Sequence, residues 1–109
     1  MTYQHLDNNG KPLGNVVTPT VTTKSALAGS SVEVFSNTKN YPVLVRILAE
    51  GGYVHYLIGP NTGTVTATSS QVPLPGDVAE QVRIPALSKI AFIGSVPVYV
   101  TECEEEELV

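Results

Sequence analysis

Two histidines, one cysteine and ten carboxylates are the side chains of this 109-residue sequence with the most scope for chemistry, and their spacing says what they can do. His5 stands in a polar N-terminal stretch and His55 inside the alternating run "YVHYLI". Neither has a second histidine or cysteine at metal-ligand spacing, so His55 reads as a strand-borne surface or interface residue and not as a ligand. Cys103 is alone and can close neither an internal disulfide nor a zinc site. Ser30, Ser31, Ser69 and Ser70 lack the G-x-S-x-G turn that presents a nucleophilic hydroxyl. "DNNG" from Asp7 to Gly10 opens like a calcium loop, but Thr18 stands where the bidentate glutamate is required. "GPNTG" has no Lys-Ser/Thr to hold a phosphate. Glu33, Glu50, Asp77 and Glu80 have no partner fixed by spacing, so no acid–base pair is specified. The sequence therefore reads as non-enzymatic, with no cofactor or metal site.

The remaining carboxylates crowd one end. "VPVYVTECEEEELV", from Val96 to Val109, turns from alternating apolar residues into Glu102 and Glu104–Glu107 and closes on two apolar residues. Such glutamates repel one another and favour an extended, solvated chain. This end is either solubilising, or a strap that docks on a Lys/Arg-rich surface of a neighbour, with Leu108 and Val109 as a small apolar anchor. Tyr3 and Leu6 can act in the same way at the front of the chain. The candidate partner-binding residues are thus Tyr3, Leu6, Glu104, Glu105, Glu106, Glu107, Leu108 and Val109.

Composition bounds what positions these residues. The length suits one domain, and 42% hydrophobic residues supply a core. A formal net charge of −4 argues against binding nucleic acid through phosphate neutralisation. No run is apolar and long enough to span a membrane, and no secretion signal is visible, so synthesis in a reducing cytoplasm is expected. Residues 1–14 have neither helical nor strand period and read as an N-terminal arm. From Asn15 onward, short runs rich in Val, Ile, Thr and Tyr alternate with Gly, Pro and Asn, which predicts strands near 16–22, 31–36, 43–49, 53–58, 64–69, 80–84, 89–93 and 97–102. The expected fold is all-β, a two-sheet antiparallel sandwich over 15–102, with an acidic tail at 103–109.

Within the strands, Val43, Val45 and Ile47 form an inward set opposite Leu44, Arg46 and Leu48. The apolar character of that opposite face, and of Tyr53, Val54, Tyr56, Leu57 and Ile58, fits a central strand or a face covered by another subunit. "SNTKNYP" and "EGGY" read as hairpin connections, and "PLPGD" as a rigid bend. "VFSNTKNYPVLV" and "AFIGSVPVYV" echo one another as if two related hairpins.

The succession "VEVFSNT", "YPVLVRI", "QVPLPGDVAEQVRIP", "KIAFIG" and "VPVYVTECE" resembles small structural proteins of tailed bacteriophages, over about Val32 to Glu104. The resemblance implies a jelly-roll or immunoglobulin-like sandwich serving as a capsid cement or decoration protein on the virion exterior. Its partners would be the major capsid protein and copies of itself, as a homotrimer, with no nucleic acid and no membrane. It carries no catalytic residues over. The chain departs from shorter members in its arm and in the stretch from Glu50 to Ser70. Other expectations are a neck, head-completion or tail protein on the same sandwich, or a carbohydrate-binding module using Tyr41, Tyr53, Tyr56 or Tyr99, which the absence of Trp argues against.

Overall fold

A computed structural model describes residues 15–107, with side chains from Thr18 to Glu104; the arm and Tyr3, Leu6, Leu108 and Val109 lie outside the described residues. The described strands are β1 (Asn15–Ser25), β2 (Val32–Ser36), β3 (Val43–Ala49), β4 (Val54–Pro60), β5 (Val72–Leu74), β6 (Glu80–Ile84), β7 (Ser88–Ile93) and β8 (Val98–Glu107). No helix occurs among the described residues.

The strands form two four-stranded antiparallel sheets, β1-β8-β3-β6 and β2-β7-β4-β5. First pairs with last, second with seventh, third with sixth and fourth with fifth, as in a long hairpin rolled up on itself. That nested order is the jelly roll, and it selects this architecture over the immunoglobulin-like alternative. Alternation decides what lies between the sheets. Val45, Ile47, Val98, Val100 and Ile84 come from one inner face, and Val54, Leu74, Ile90 and Phe92 from the other; all are essentially buried. Tyr56 packs its ring against Phe92 at 5.9 Å and adds an aromatic contact to the core.

Three sequence expectations are corrected. Residues 64–69 carry a strand-like alternation but join neither ladder; the fifth strand is Val72–Leu74 instead. Val65 and Ala67 are buried on the outer face of the second sheet, against Ala91, Leu57 and Ile93. Their amides bond side chains in place of a neighbouring backbone, Val65 N–H to Glu33 Oε2 (2.7 Å) and Ala67 N–H to Ser31 Oγ (2.8 Å). Lys89 Nζ meets the same Glu33 oxygen at 2.8 Å. Gly59 makes the close approach possible, because a Cβ there would stand 2.8 Å from Val65 Cγ2. The apolar residue Leu57 is therefore covered by the chain's own β4–β5 connection, while Val54 and Tyr56 face the core.

The second correction concerns "SNTKNYP" and "EGGY". These link strands of different sheets and are arches, not hairpins. The echoing segments are the β2–β3 and β7–β8 arches, whose first strands pair with each other and whose second strands do likewise. The third is length: β8 does not stop near Glu102 but continues to Glu107, opposite the start of β1.

Candidate binding surfaces

The β2–β3 arch depends on Asn37, a polar residue buried to 2% exposure at the end of the sandwich. Its Nδ2 donates to the carbonyls of Tyr41 (2.9 Å), Ile84 (3.2 Å) and Pro85 (3.0 Å), and its Oδ1 accepts from Lys39 N–H (3.0 Å). Asn61 Nδ2 donates to the Asn37 carbonyl at 2.9 Å, tying the β4–β5 connection to the same point. Asn61 Oδ1 is left buried without a partner among the described residues. One side chain thus closes the arch that carries Lys39 and Tyr41, and burying its polar atoms is tolerated because they are paired.

Beside that arch lies a concavity of about 590 Å³ lined by Thr18, Thr20, Lys39, Tyr41, Glu102 and Glu104, with Leu44 and Cys103 at its apolar side. The Lys39 ammonium lies 5.6 Å from the centre of the exposed Tyr41 ring. Glu102 is fixed by its backbone, whose carbonyl accepts from Thr20 Oγ1 at 3.1 Å. Neither the Glu102 nor the Glu104 carboxylate has a partner among the described residues. Cys103 is buried with its thiol toward the Thr101 carbonyl at 3.5 Å.

From this concavity a ribbon projects. The β3·β8 ladder stops at Leu44↔Cys103, but β1·β8 continues from Thr18↔Glu104 to Asn15↔Glu107. Four residue pairs beyond the sheet extend about 14 Å at 3.4 Å per residue. The backbone of the glutamate run is therefore paired with β1. Sequence reasoning identified the acidic cluster of Glu102 and Glu104–Glu107 but missed Thr18, Thr20 and Lys39, which only pairing with β1 and closure of the arch bring beside it.

The outer face of the first sheet has a different texture. Thr22 and Thr101 hydroxyls meet at 3.0 Å, and a shallow cavity of about 330 Å³ lies among Thr22, Arg46, Leu48 and Tyr99. Lys24 lies 5.3 Å from the Tyr99 ring centre, and hydrogen bonding to Tyr99, with the charge of Glu50 adding to it, holds the ammonium above the ordinary lysine value. Tyr99 donates to both Glu50 oxygens at 3.3 and 3.4 Å. On the other sheet, Glu33 is held below the ordinary carboxylate range, first by Lys89 and then by the Val65 amide.

At the opposite end of the strands, Tyr53 is the most exposed large apolar side chain of the described residues, at 69%. Its ring meets His55 edge-to-face, with centroids 5.6 Å apart and planes at 82°. A cavity of about 360 Å³ opens beside them, bounded by Gly29, Ser69, Ile93, Gly94 and Ser95. No group of three or more His, Cys, Asp or Glu suited to a metal ion exists among the described residues. No family model, no curated protein and no solved structure matches this chain.

Proposed function

We propose that this protein is a non-catalytic capsid cement or decoration subunit of a tailed bacteriophage, binding the major capsid protein and copies of itself on the outside of the shell. The observation that carries the reading is the β1·β8 ribbon, which takes four consecutive glutamates beyond the sheet edge, next to a concavity lined by Glu102, Glu104 and the exposed Tyr41. A rigid sandwich with a charged projection is suited to bridging a joint between shell subunits. Its natural counterpart is a Lys/Arg surface, attracted over a Debye length of about 8 Å at physiological salt. Each contact is weak, and repeated copies on a lattice add avidity without new contacts. The sequence resemblance supplies the virion context, and the jelly-roll order agrees with the sandwich it implies.

The test is addition of purified protein to shells lacking it. Saturable co-sedimentation is expected, with shells that resist heat better once coated. Replacing Glu104–Glu107 by glutamine keeps the ribbon's backbone pairing and removes its charge, so attachment should weaken at least tenfold and lose most of its salt dependence. Deleting the segment is a poorer test, because it also removes the strand opposite the start of β1. Failure to sediment with shells at low salt overturns the reading. Binding confined to a single vertex or to tails would instead assign the protein to the neck or tail.

A further inference from the structure

We propose that the cavity beside Tyr53 and His55 is a carbohydrate-binding site that takes one pyranose ring. Four tyrosines are described, and three are ill-placed to stack on a sugar. Tyr56 is buried in the core, and the rings of Tyr41 and Tyr99 each have a lysine ammonium near them. Tyr53 has no such partner among the described residues and keeps most of its ring in solvent, with an edge-to-face contact to His55 on one side. A solvated aromatic face is what the C–H face of a pyranose covers, since a tyrosine offers a large apolar contact at little cost in side-chain entropy.

The polar groups around it complete the match. Ser69 and Ser95 hydroxyls and the His55 ring nitrogens have no hydrogen-bond partner among the described residues, and all line the same cavity. They supply donors and acceptors for sugar hydroxyls at its rim, while Ile93 gives an apolar wall. Gly29 and Gly94 form the floor, joined by a 2.8 Å bond from Gly29 N–H to the Gly94 carbonyl. A Cβ at Gly94 would stand 2.7 Å from Val54 Cγ1, and Gly29 has φ of +85°, so both positions favour glycine. At about 360 Å³ the space lies near the lower end of the small-molecule range, suited to a single ring and not to a long chain.

The site stands at the Ala49–Val98 end of the sheet, opposite the Leu44–Cys103 end from which the ribbon projects. Glycan binding is independent of the virion reading. If both hold, a subunit gripping a shell by its ribbon presents this cavity to the surroundings, and a lattice of weak sites becomes a strong one. With one tyrosine and no tryptophan, a single site is expected to bind with Kd on the order of millimolar.

The experiment has two arms on the free full-length protein. Amide chemical shifts are followed during titration with a panel of simple pyranoses, and a multimer of the protein is applied to an immobilised glycan panel. The expected result is saturable shifts confined to Tyr53, His55, Ser69, Gly94 and Ser95, lost at least tenfold in Tyr53→Ala and reduced in Ser95→Ala. Tyr41→Ala, which removes another exposed tyrosine at the other end, should bind as the parent does. Absence of saturable binding to any sugar in both arms, or binding that survives Tyr53→Ala, overturns the proposal.

Discussion

Asn37→Ala should destabilise the protein by about 3 kcal/mol, reckoning 1–3 kcal/mol for the buried Ile84 carbonyl left without a donor and about 0.5 kcal/mol for each part-buried group. Those part-buried groups are the carbonyls of Tyr41 and Pro85 and the amide of Lys39. For a domain of this size the loss corresponds to a fall in Tm of roughly 15 °C. Asn37→Asp should be worse at neutral pH, although it keeps the acceptor for Lys39. Its second oxygen would replace the Nδ2 donor and face three carbonyl oxygens, which disfavours the charged form and raises the folded-state pKa of the new carboxyl. A raised acid pKa means a penalty that is complete at high pH and is relieved as pH falls through the folded value. Urea denaturation across pH should therefore show the two variants converging on acidification. An alanine cost under about 1 kcal/mol, or an aspartate variant as stable as the parent at neutral pH, would refute the account of Asn37 as the arch's organising donor.

Other outcomes follow from the same contacts. Glu33→Gln should raise amide hydrogen exchange selectively at Val65, whose N–H it holds, and leave Ala67, held by Ser31, little changed. Because the folded-state pKa of Glu33 is lowered, its contribution is present above the ordinary carboxylate range and is lost as pH falls through the lowered value. Exchange corrected for intrinsic rates should show that loss in the parent and not in the variant. Gly76→Ala should cost about 1–3 kcal/mol by overpacking, because the new Cβ meets backbone atoms of Gly52 that cannot move aside. The gaps there are 2.8 to 2.9 Å. Gly59→Ala meets only the Val65 side chain at 2.8 Å and should cost less; thermal melts that reverse this order would contradict the packing described.

The β grammar of this chain was legible because Val43, Val45 and Ile47 alternate with residues of the other face, and the inner set proved buried. Alternation reports burial of one face, however, and not which groups satisfy the backbone. That is why Val65 and Ala67 looked like a strand while their amides bond Glu33 and Ser31 side chains, separated from them by more than thirty residues in the sequence. Turn chemistry is likewise silent about which sheet the next strand joins, since arches and hairpins use the same Asn, Gly and Pro. The glutamate run was visible by composition alone. Thr18 and Thr20 were not, because their place beside Glu102 and Glu104 comes from pairing between opposite ends of the chain. Tyr53 was visible only as one tyrosine among several; exposure and the lysine contacts of Tyr41 and Tyr99 separated it from the rest.

The state of the sheet edges bears on the proposed modes of attachment. A jelly roll leaves four edge strands, here β1, β6, β2 and β5, and each unpaired row of N–H and C=O groups invites strand addition. β5 is three residues long with Pro73 at its centre, which removes a donor. β2 shifts register between Glu33 and Phe35, and β1 does so between Pro19 and Thr22, so neither offers a long regular edge. β6 is regular but short, and Glu80, Gln81 and Arg83 make it polar. A chain protected in this way at its edges resists uncontrolled sheet growth. On the proposed readings, attachment then falls to what the edges do not supply, the charged ribbon at one end and the aromatic cavity at the other.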